Sequence, residues 1–406
     1  MFVHHGGTMG GSPSSLLQLI NEISDKINPT ICCALNDESV VEFFKSKNIN
    51  AFRINLPMFD HTTLAHYKLT SLSDLKRLSL WIYNYKGACN EFQEVLKKNK
   101  PDIIHFNSIT LAPYVVAAKK ENIKSIIHVR EPLLHGLLGI RKHFVIKNLN
   151  LANEVIAICH DNLERLSLEK KGIVIYNPVN FEKFNYKNTG EEIKIKLPIT
   201  NQTKIICYVG GSHPVKGPDL FLKSIRELLK INPKANIYCV TPSLEIIKHP
   251  GKTKLRKIIY CVLHPIATLK IININKDIKF LVEKKLITTS GFTHNIEDYI
   301  AASNIICVTH SKPHFARVVM EAGAMKKPVV CFDVGGVSEV VVNQKTGLII
   351  ERFNTKSMAQ LINKITENSD LESYLGDNAF QQASNLFKSS ISAKHVFETY
   401  EKLNHD

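Results

Sequence analysis

At 406 residues, 44% of them hydrophobic, the chain is long enough for two ordinary cores, and its composition excludes disorder. A formal charge of +15 and a pI near 9.2 favour anionic partners: a nucleotide diphosphate, a lipid phosphate, an acidic membrane surface or nucleic acid. Nine cysteines, an odd count without a CxxC pair, read as buried reduced thiols; no apolar run reaches the roughly 18 residues of a membrane span and the opening residues lack a secretory apolar segment, so a cytoplasmic location is expected.

Residues 2–5 end a short strand, and the glycines of residues 6–11 follow. Ser12 reads as an N-cap and Pro13 as a first helical residue, ahead of an apolar face of Leu16, Leu17, Leu19 and Ile20. A strand, a glycine turn and a helix N-terminus make an anion-binding unit with Gly10 and Gly11 at its mouth; a simple chain reversal is the plainer alternative. Residues 31–35 and 40–47 give the next strand and helix, and 57–100 has helical spacing. PDIIHFNS (101–108) reads as a buried parallel strand with His105 near its end. IKSIIHVREPLLHG (123–136) is a second such strand, spilling His128, Arg130 and Glu131. His128 suits proton handling near neutral pH and Arg130 a bidentate grip on phosphate, whereas an Arg130–Glu131 surface pair is the bland reading. A strand at 155–159 and the strand end at Asn177 and Pro178 follow, and the polar stretch 186–192 places a domain boundary there.

Residues 204–209 open the second half, with the loop GGSHPVKGPD (210–219) carrying Gly210, Gly211 and Lys216 ahead of a helix at 220–230. After a strand at 237–241, residues 248–276 mix dense Lys and Arg with Ile258, Ile259, Val262 and Leu263. Such a basic amphipathic segment suits an anionic bilayer; a solvated helix face over a core stripe is the commoner arrangement, and Pro265 interrupts any continuous helix. Residues 282–289 read as a strand and 296–302 as a helix. The stretch 305–350 then holds a strand, a polar loop (His314, Phe315, Ala316), a helix at 318–325 carrying Glu321, a strand at 328–332 and a loop with Gly335, Gly336 and Glu339. Two strand ends thus empty onto one edge, where parallel sheets bind ligands. Residues 368–403 look helical throughout, with Val396, Phe397, Tyr400 and Leu403 as a docking face. No Asp-x-Asp, HExxH, P-loop or GxSxG signature occurs, and His310 with His314 lack a neighbouring carboxylate or thiolate, so no metal is expected.

In this order, PDIIH, HVRE, VIAICH, YNPVN, the Lys216 loop, HFAR, MEAGAMKKPVV and GGVSE resemble the family-four glycosyltransferases, which move a sugar from a nucleotide donor with retention of configuration. The resemblance implies the GT-B fold: an α/β protein with two Rossmann-like parallel-sheet domains facing across a cleft. Residues 1–188 would form the acceptor side, 189–385 the donor side, and 386–406 a helix crossing back to the first domain. It also implies a nucleotide-sugar donor, a glycan or lipid-linked acceptor, no cofactor, and a place in surface polysaccharide, lipopolysaccharide or glycoconjugate synthesis at the inner face of the cell membrane. Donor-binding positions would be Gly10, Gly11, Gly210, Gly211, Lys216, His314, Phe315, Ala316, Arg317, Glu321, Gly335, Gly336 and Glu339. Lys216, Arg317, His128 and Arg130 would be the catalytic groups. Two family positions differ: Pro313 stands where the first Glu is usual, and Gly211 or Ser212 where a clamp Arg is usual, for which Arg317 or His213 is expected to substitute. These departures keep open a protein that binds nucleotide or glycan without turnover, and the architecture also serves sugar-nucleotide epimerases. Nucleic acid is not an expected partner, because the basic stretch lacks interleaved aromatics.

Overall fold

The computed structural model describes residues 1–5, 11–34, 38–168, 171–248 and 253–405. Gly10 lies outside them. The chain divides into two compact units, Met1–Pro178 with Leu386–Asp406, and Val179–Asn385. The break thus precedes the expected 188/189 boundary. Residues 179–188 belong with the second unit because Lys183 pairs with Glu297 at 3.1 Å and Asn188 donates to Asp298 at 2.8 Å.

In the first unit, seven parallel strands, β1 (Phe2–His4), β2 (Thr30–Cys33), β3 (Asn50–Arg53), β4 (Ile103–Phe106), β5 (Lys124–Val129), β6 (Glu154–Ala157) and β7 (Gly172–Val174), lie in the order β3-β2-β1-β4-β5-β6-β7. Most are apolar and buried on both faces, as a sheet covered by helices requires. Alternation divides the two faces: Val3 and Cys32 enter one core, and Phe2, Ile31 and Cys33 enter the other. The second core is closed by the helix Gly11–Glu22 through Leu16, Leu19 and Ile20, and by the last helix, Ser389–His405, through Ala393, Val396, Tyr400 and Leu403, with Phe397 packed at its edge.

The second unit repeats the plan with six parallel strands: β8 (Lys204–Tyr208), β9 (Ile237–Pro242), β10 (Ile287–Ser290), β11 (Ile305–Val308), β12 (Val329–Phe332) and β13 (Gly347–Ile350). Their order is β10-β9-β8-β11-β12-β13. In each sheet the first strand of the unit neighbours strands wound in opposite directions, β1 between β2 and β4 and β8 between β9 and β11. Such switch points leave a crevice at the carboxyl ends of the strands.

Several expectations from sequence are corrected. Ser12 is not an N-cap, since the helix already begins at Gly11. Within 57–100 the helix runs only over Leu72–Asn99, capped by Ser71, whose side chain accepts from the amide of Asp74. Residues 282 and 283 end the helix Pro265–Glu283, so β10 begins only at Ile287. The tail forms two helices, Ser369–Leu386 and Ser389–His405. In Lys254–Leu263 the expected core stripe is absent: the helix buries none of its residues. It meets Pro265–Glu283 at a bend of 112°. No single helix among the described residues is long and apolar enough to cross a membrane, although this bent pair passes that test together on length and composition. All nine cysteines are free and, apart from Cys261, buried.

Candidate functional site

In the second unit the loops after β8 and β11 are stitched together at the switch point. Gly217 has φ +69°, and a Cβ there would lie 1.9 Å from the carbonyl oxygen of Thr309, so only glycine fits. The Thr309 hydroxyl donates to the carbonyls of Gly217 at 2.8 Å and Lys216 at 3.2 Å. Ser311 adds two further links, its amide to the Val215 carbonyl and its hydroxyl to the Pro214 carbonyl, each at 2.8 Å. Lys216 therefore stands on a short turn, Pro214–Lys216, fixed from both sides. Behind it, Tyr208 donates to the Gly211 carbonyl at 3.1 Å and stacks on Phe221 at 5.0 Å. At Gly210, which reads as a donor-loop glycine, an added Cβ would come within 2.9 Å of the Lys216 Cβ.

Glu321 reaches the same neighbourhood from the helix Arg317–Ala324, one turn in from its start. Its carboxylate lies 3.7 Å from Arg317 Nε. Burial raises the Glu321 pKa against the opposing pull of Arg317, Lys183 and Lys216. Burial likewise lowers Lys216 to about 8, opposed by Glu321. The two charges are thus within electrostatic reach, each held short of full ionic comfort. Around them burial, then Lys216, lowers His310 to about 3 and His314 well below its ordinary value, and His213 is shifted down for the same reasons. That shift disfavours a charged His213, which leaves Arg317 as the permanent cation of the two expected substitutes. Arg317 faces Glu321. His310 donates through Nδ1 to the His314 carbonyl at 3.2 Å. Phe315 and Ala316 are buried in the wall rather than presented as open side chains. Gly336, at φ +81°, sits in consecutive turns in which Val337 and Val340 donate to the carbonyls of Val334 and Val337; no helix begins at Gly335 or Glu339.

The first unit gathers a different set at the ends of β1, β4 and β5. Arg130 donates through Nε to Asn107 Oδ1 at 2.7 Å and through Nη1 to Asn177 Oδ1 at 2.6 Å, and its Nη2 lies 3.4 Å from His128 Nδ1. Glu131 turns away from it, toward Ser108 at 3.0 Å, the Ile109 amide at 3.3 Å and His5 at 3.4 Å. An Arg130–Glu131 surface pair is therefore not formed. The network assigns the imidazole protons. Asn107 Oδ1 accepts from Arg130, so Asn107 Nδ2 donates to His4 Nδ1 at 3.1 Å. Tyr400 donates to His105 Nδ1 at 2.7 Å, and His105 Nε2 then donates to His128 Nδ1 at 3.3 Å. His4 and His128 are both left carrying a proton on Nε2, which has no partner among the described residues. Burial is the main cause holding both of these rings well below their ordinary pKa, with Arg130 adding to it, and it lowers His105 to about 3. They are neutral donors, not cations. His128 and Arg130 line a small cavity with Ser15, Tyr176 and Ser392.

Sequence reading did not identify Thr309, Asn107, Asn177 or His4 as members of these clusters. Thr309 and Asn107 follow ends of strands that were foreseen, and only the pairing of non-consecutive strands shows what they touch. Among the described residues no three His, Cys, Asp or Glu side chains come together as a metal site.

Residues 274–382, which contain Arg317, Glu321, Gly335, Gly336 and Glu339, match the family described as glycosyl transferases group 1. The capsular polysaccharide biosynthesis glycosyltransferase CapM of Staphylococcus aureus is 24% identical over 392 residues, 89% of this chain and 92% of that protein. The chain is also 23% identical over 221 residues to a D-inositol 3-phosphate glycosyltransferase of a Nocardioides species, a match to 52% of the chain that spans only 44% of that relative. In structure it resembles Anabaena HepE, solved in complex with UDP, with a TM-score of 0.74 over 99% of both chains at 17% identity. A glycosyltransferase of Rickettsia africae gives 0.73 over 99% and 97% at 20% identity. At these identities the likeness is one of fold, and it identifies the two parallel-sheet units as GT-B.

Proposed function

We propose that this protein is a glycosyltransferase that passes a sugar from a nucleotide-sugar donor to a glycan or lipid-linked acceptor, retaining anomeric configuration and using no metal. The observation that carries the reading is Lys216 locked at the β8/β11 switch point within electrostatic reach of Glu321. A lysine with a pKa near 8 is mostly protonated at pH 7, and it would meet charge growing on a departing diphosphate. Backbone amides at Gly210, Gly211, Gly335 and Gly336 would add partial positive charge, Arg317 a second cation, and Glu321 would accept the ribose hydroxyls. Wall contacts would come from His314, Phe315 and Ala316, with Glu339 at the far turn and Gly11 at a helix start. In the first unit the Nε2–H of His128, oriented by Arg130, is a donor for a sugar oxygen. The role of CapM in capsular polysaccharide biosynthesis, and the UDP in the HepE structure, support a UDP-sugar used in surface glycan synthesis.

The test is release of nucleoside diphosphate from a panel of UDP-, GDP- and ADP-sugars in the presence of EDTA, with lipid-linked and glycan acceptors. Turnover is expected with at least one pair, lost in Lys216→Ala. Nucleotide binding seen by thermal shift without any turnover would replace this reading with that of a binding protein, which the proline at 313 favours.

A further inference from the structure

The helix Lys254–Leu263 stands between β9 and β10 with its apolar side uncovered. At 100° per residue, Leu255, Ile258, Ile259, Val262 and Leu263 fall in one arc of about 140°. All five are exposed, Leu255 at 67% and Val262 at 74%, and Ile266 at 73% continues the surface into the next helix with Leu269 and Ile272. A contiguous apolar stripe of this size on a folded unit marks an interaction surface. On the same wheel Lys254 and Arg256 fall on either side of the arc, about 100° from Leu255, where long cationic side chains can lie beside an apolar layer with their charges outward. The sequence holds no acidic residue from 246 to 276. Of the nearby cations Lys270 is already paired, with Asp219 at 3.2 Å.

We infer that this helix is a membrane-docking surface that lies in the headgroup layer of an anionic bilayer. A protein partner of this stripe would need its own apolar patch and an acidic rim; an anionic bilayer supplies both along the whole helix. Ten residues span about 15 Å, half of a hydrocarbon core, so the helix lies on the bilayer and does not cross it. The following helix cannot leave the unit to extend it, because Ile274, Ile278 and Leu281 are buried in the core. The 112° bend therefore presents the first helix while the second anchors it.

This inference stands apart from the glycosyl-transfer reading, and donor-induced thermal shift serves as an independent control. The full chain is floated with vesicles of phosphatidylcholine alone and of phosphatidylcholine mixed with phosphatidylglycerol. Binding is expected to the mixed vesicles and to weaken in high salt. Ile258→Ser with Val262→Ser should lower the partition coefficient by ~10-fold or more, since each exposed side chain contributes about 1 kcal/mol on burial and 1.4 kcal/mol is tenfold. Lys254→Glu with Arg256→Glu should abolish the preference for anionic vesicles. Both pairs are exposed, so melting temperature should not move. Absence of flotation, or flotation indifferent to both variants, overturns the inference. So does a dimer in light scattering that the apolar variant dissociates, which would assign the stripe to a second copy of the chain.

Discussion

The two units use one topology for opposite electrostatic ends. In the first, the Arg130 guanidinium is held by Asn107, Asn177 and His128, and the surrounding imidazoles are neutral donors and acceptors. In the second, Lys216 and Glu321 are each pushed toward neutrality by burial, and the lysine's fixed contacts are through its backbone. A charge whose donors are engaged is part of the scaffold. A charge held poorly solvated is available to a ligand that brings the opposite sign.

That contrast can be broken by truncating the two cations. Arg130→Ala leaves the side-chain oxygens of Asn107 and Asn177 without their donor and should cost about 3 kcal/mol of stability, read from urea unfolding. Lys216→Ala removes a poorly solvated charge and should not lower the unfolding midpoint at pH 7, while raising the dissociation constant for nucleoside diphosphate ~10- to 100-fold in titration calorimetry. If Arg130→Ala instead weakened nucleotide binding with stability intact, the assignment of scaffold and ligand roles would be reversed.

A pH series sharpens the same comparison. Lys216 has a folded pKa near 8, below its ordinary 10.5, so the unfolded chain holds this proton more tightly than the native one. The stability slope with pH is then positive between about 8 and 10.5: the penalty is fully present below 8 and is relieved as the pH rises. Ligand binding has the opposite sense. Affinity for a diphosphate should fall as pH rises above about 8, up to tenfold per unit, and Lys216→Arg should carry the affinity to higher pH. Lys327, also lowered to about 8 by burial, adds to the stability slope, so the difference between wild type and variant is the quantity to follow.

The smallest expected effect is at the edge of the first network. Tyr400→Phe removes one buried hydrogen bond, to His105, and should cost about 1 kcal/mol, again by urea unfolding, with nucleotide affinity unchanged.

How far the sequence could be read follows from what kind of signal each element carries. β-branched runs such as residues 305–309 declare buried parallel strands, and the glycines and Pro328 declare where they stop. The short strand Asn50–Arg53 was not visible, because four residues of mixed polarity carry no period. Lys254–Leu263 shows the deeper limit. Its spacing is that of a core stripe, and periodicity reports that a helix has an apolar side without saying what covers it. Charge partners are equally illegible: Glu131 sits next to Arg130 in sequence, yet faces His5 and Ser108, because adjacent residues beyond a strand can point to different sides. The group at Lys216, Glu321 and Arg317 was legible only as a set of strand-end residues; Thr309, which ties two loops into one support, needed the strand order.

The last helix, Ser389–His405, seals a core whose other walls, from Phe2 to Ile175, were made more than two hundred residues earlier. During synthesis the Val179–Asn385 unit can therefore be complete while the unit that began first still lacks its lid, with Phe2, Ile31 and Phe44 awaiting cover. Loss of the helix Ser389–His405 would spare the later-made half and leave the earlier one sticky, a target for chaperones and proteases.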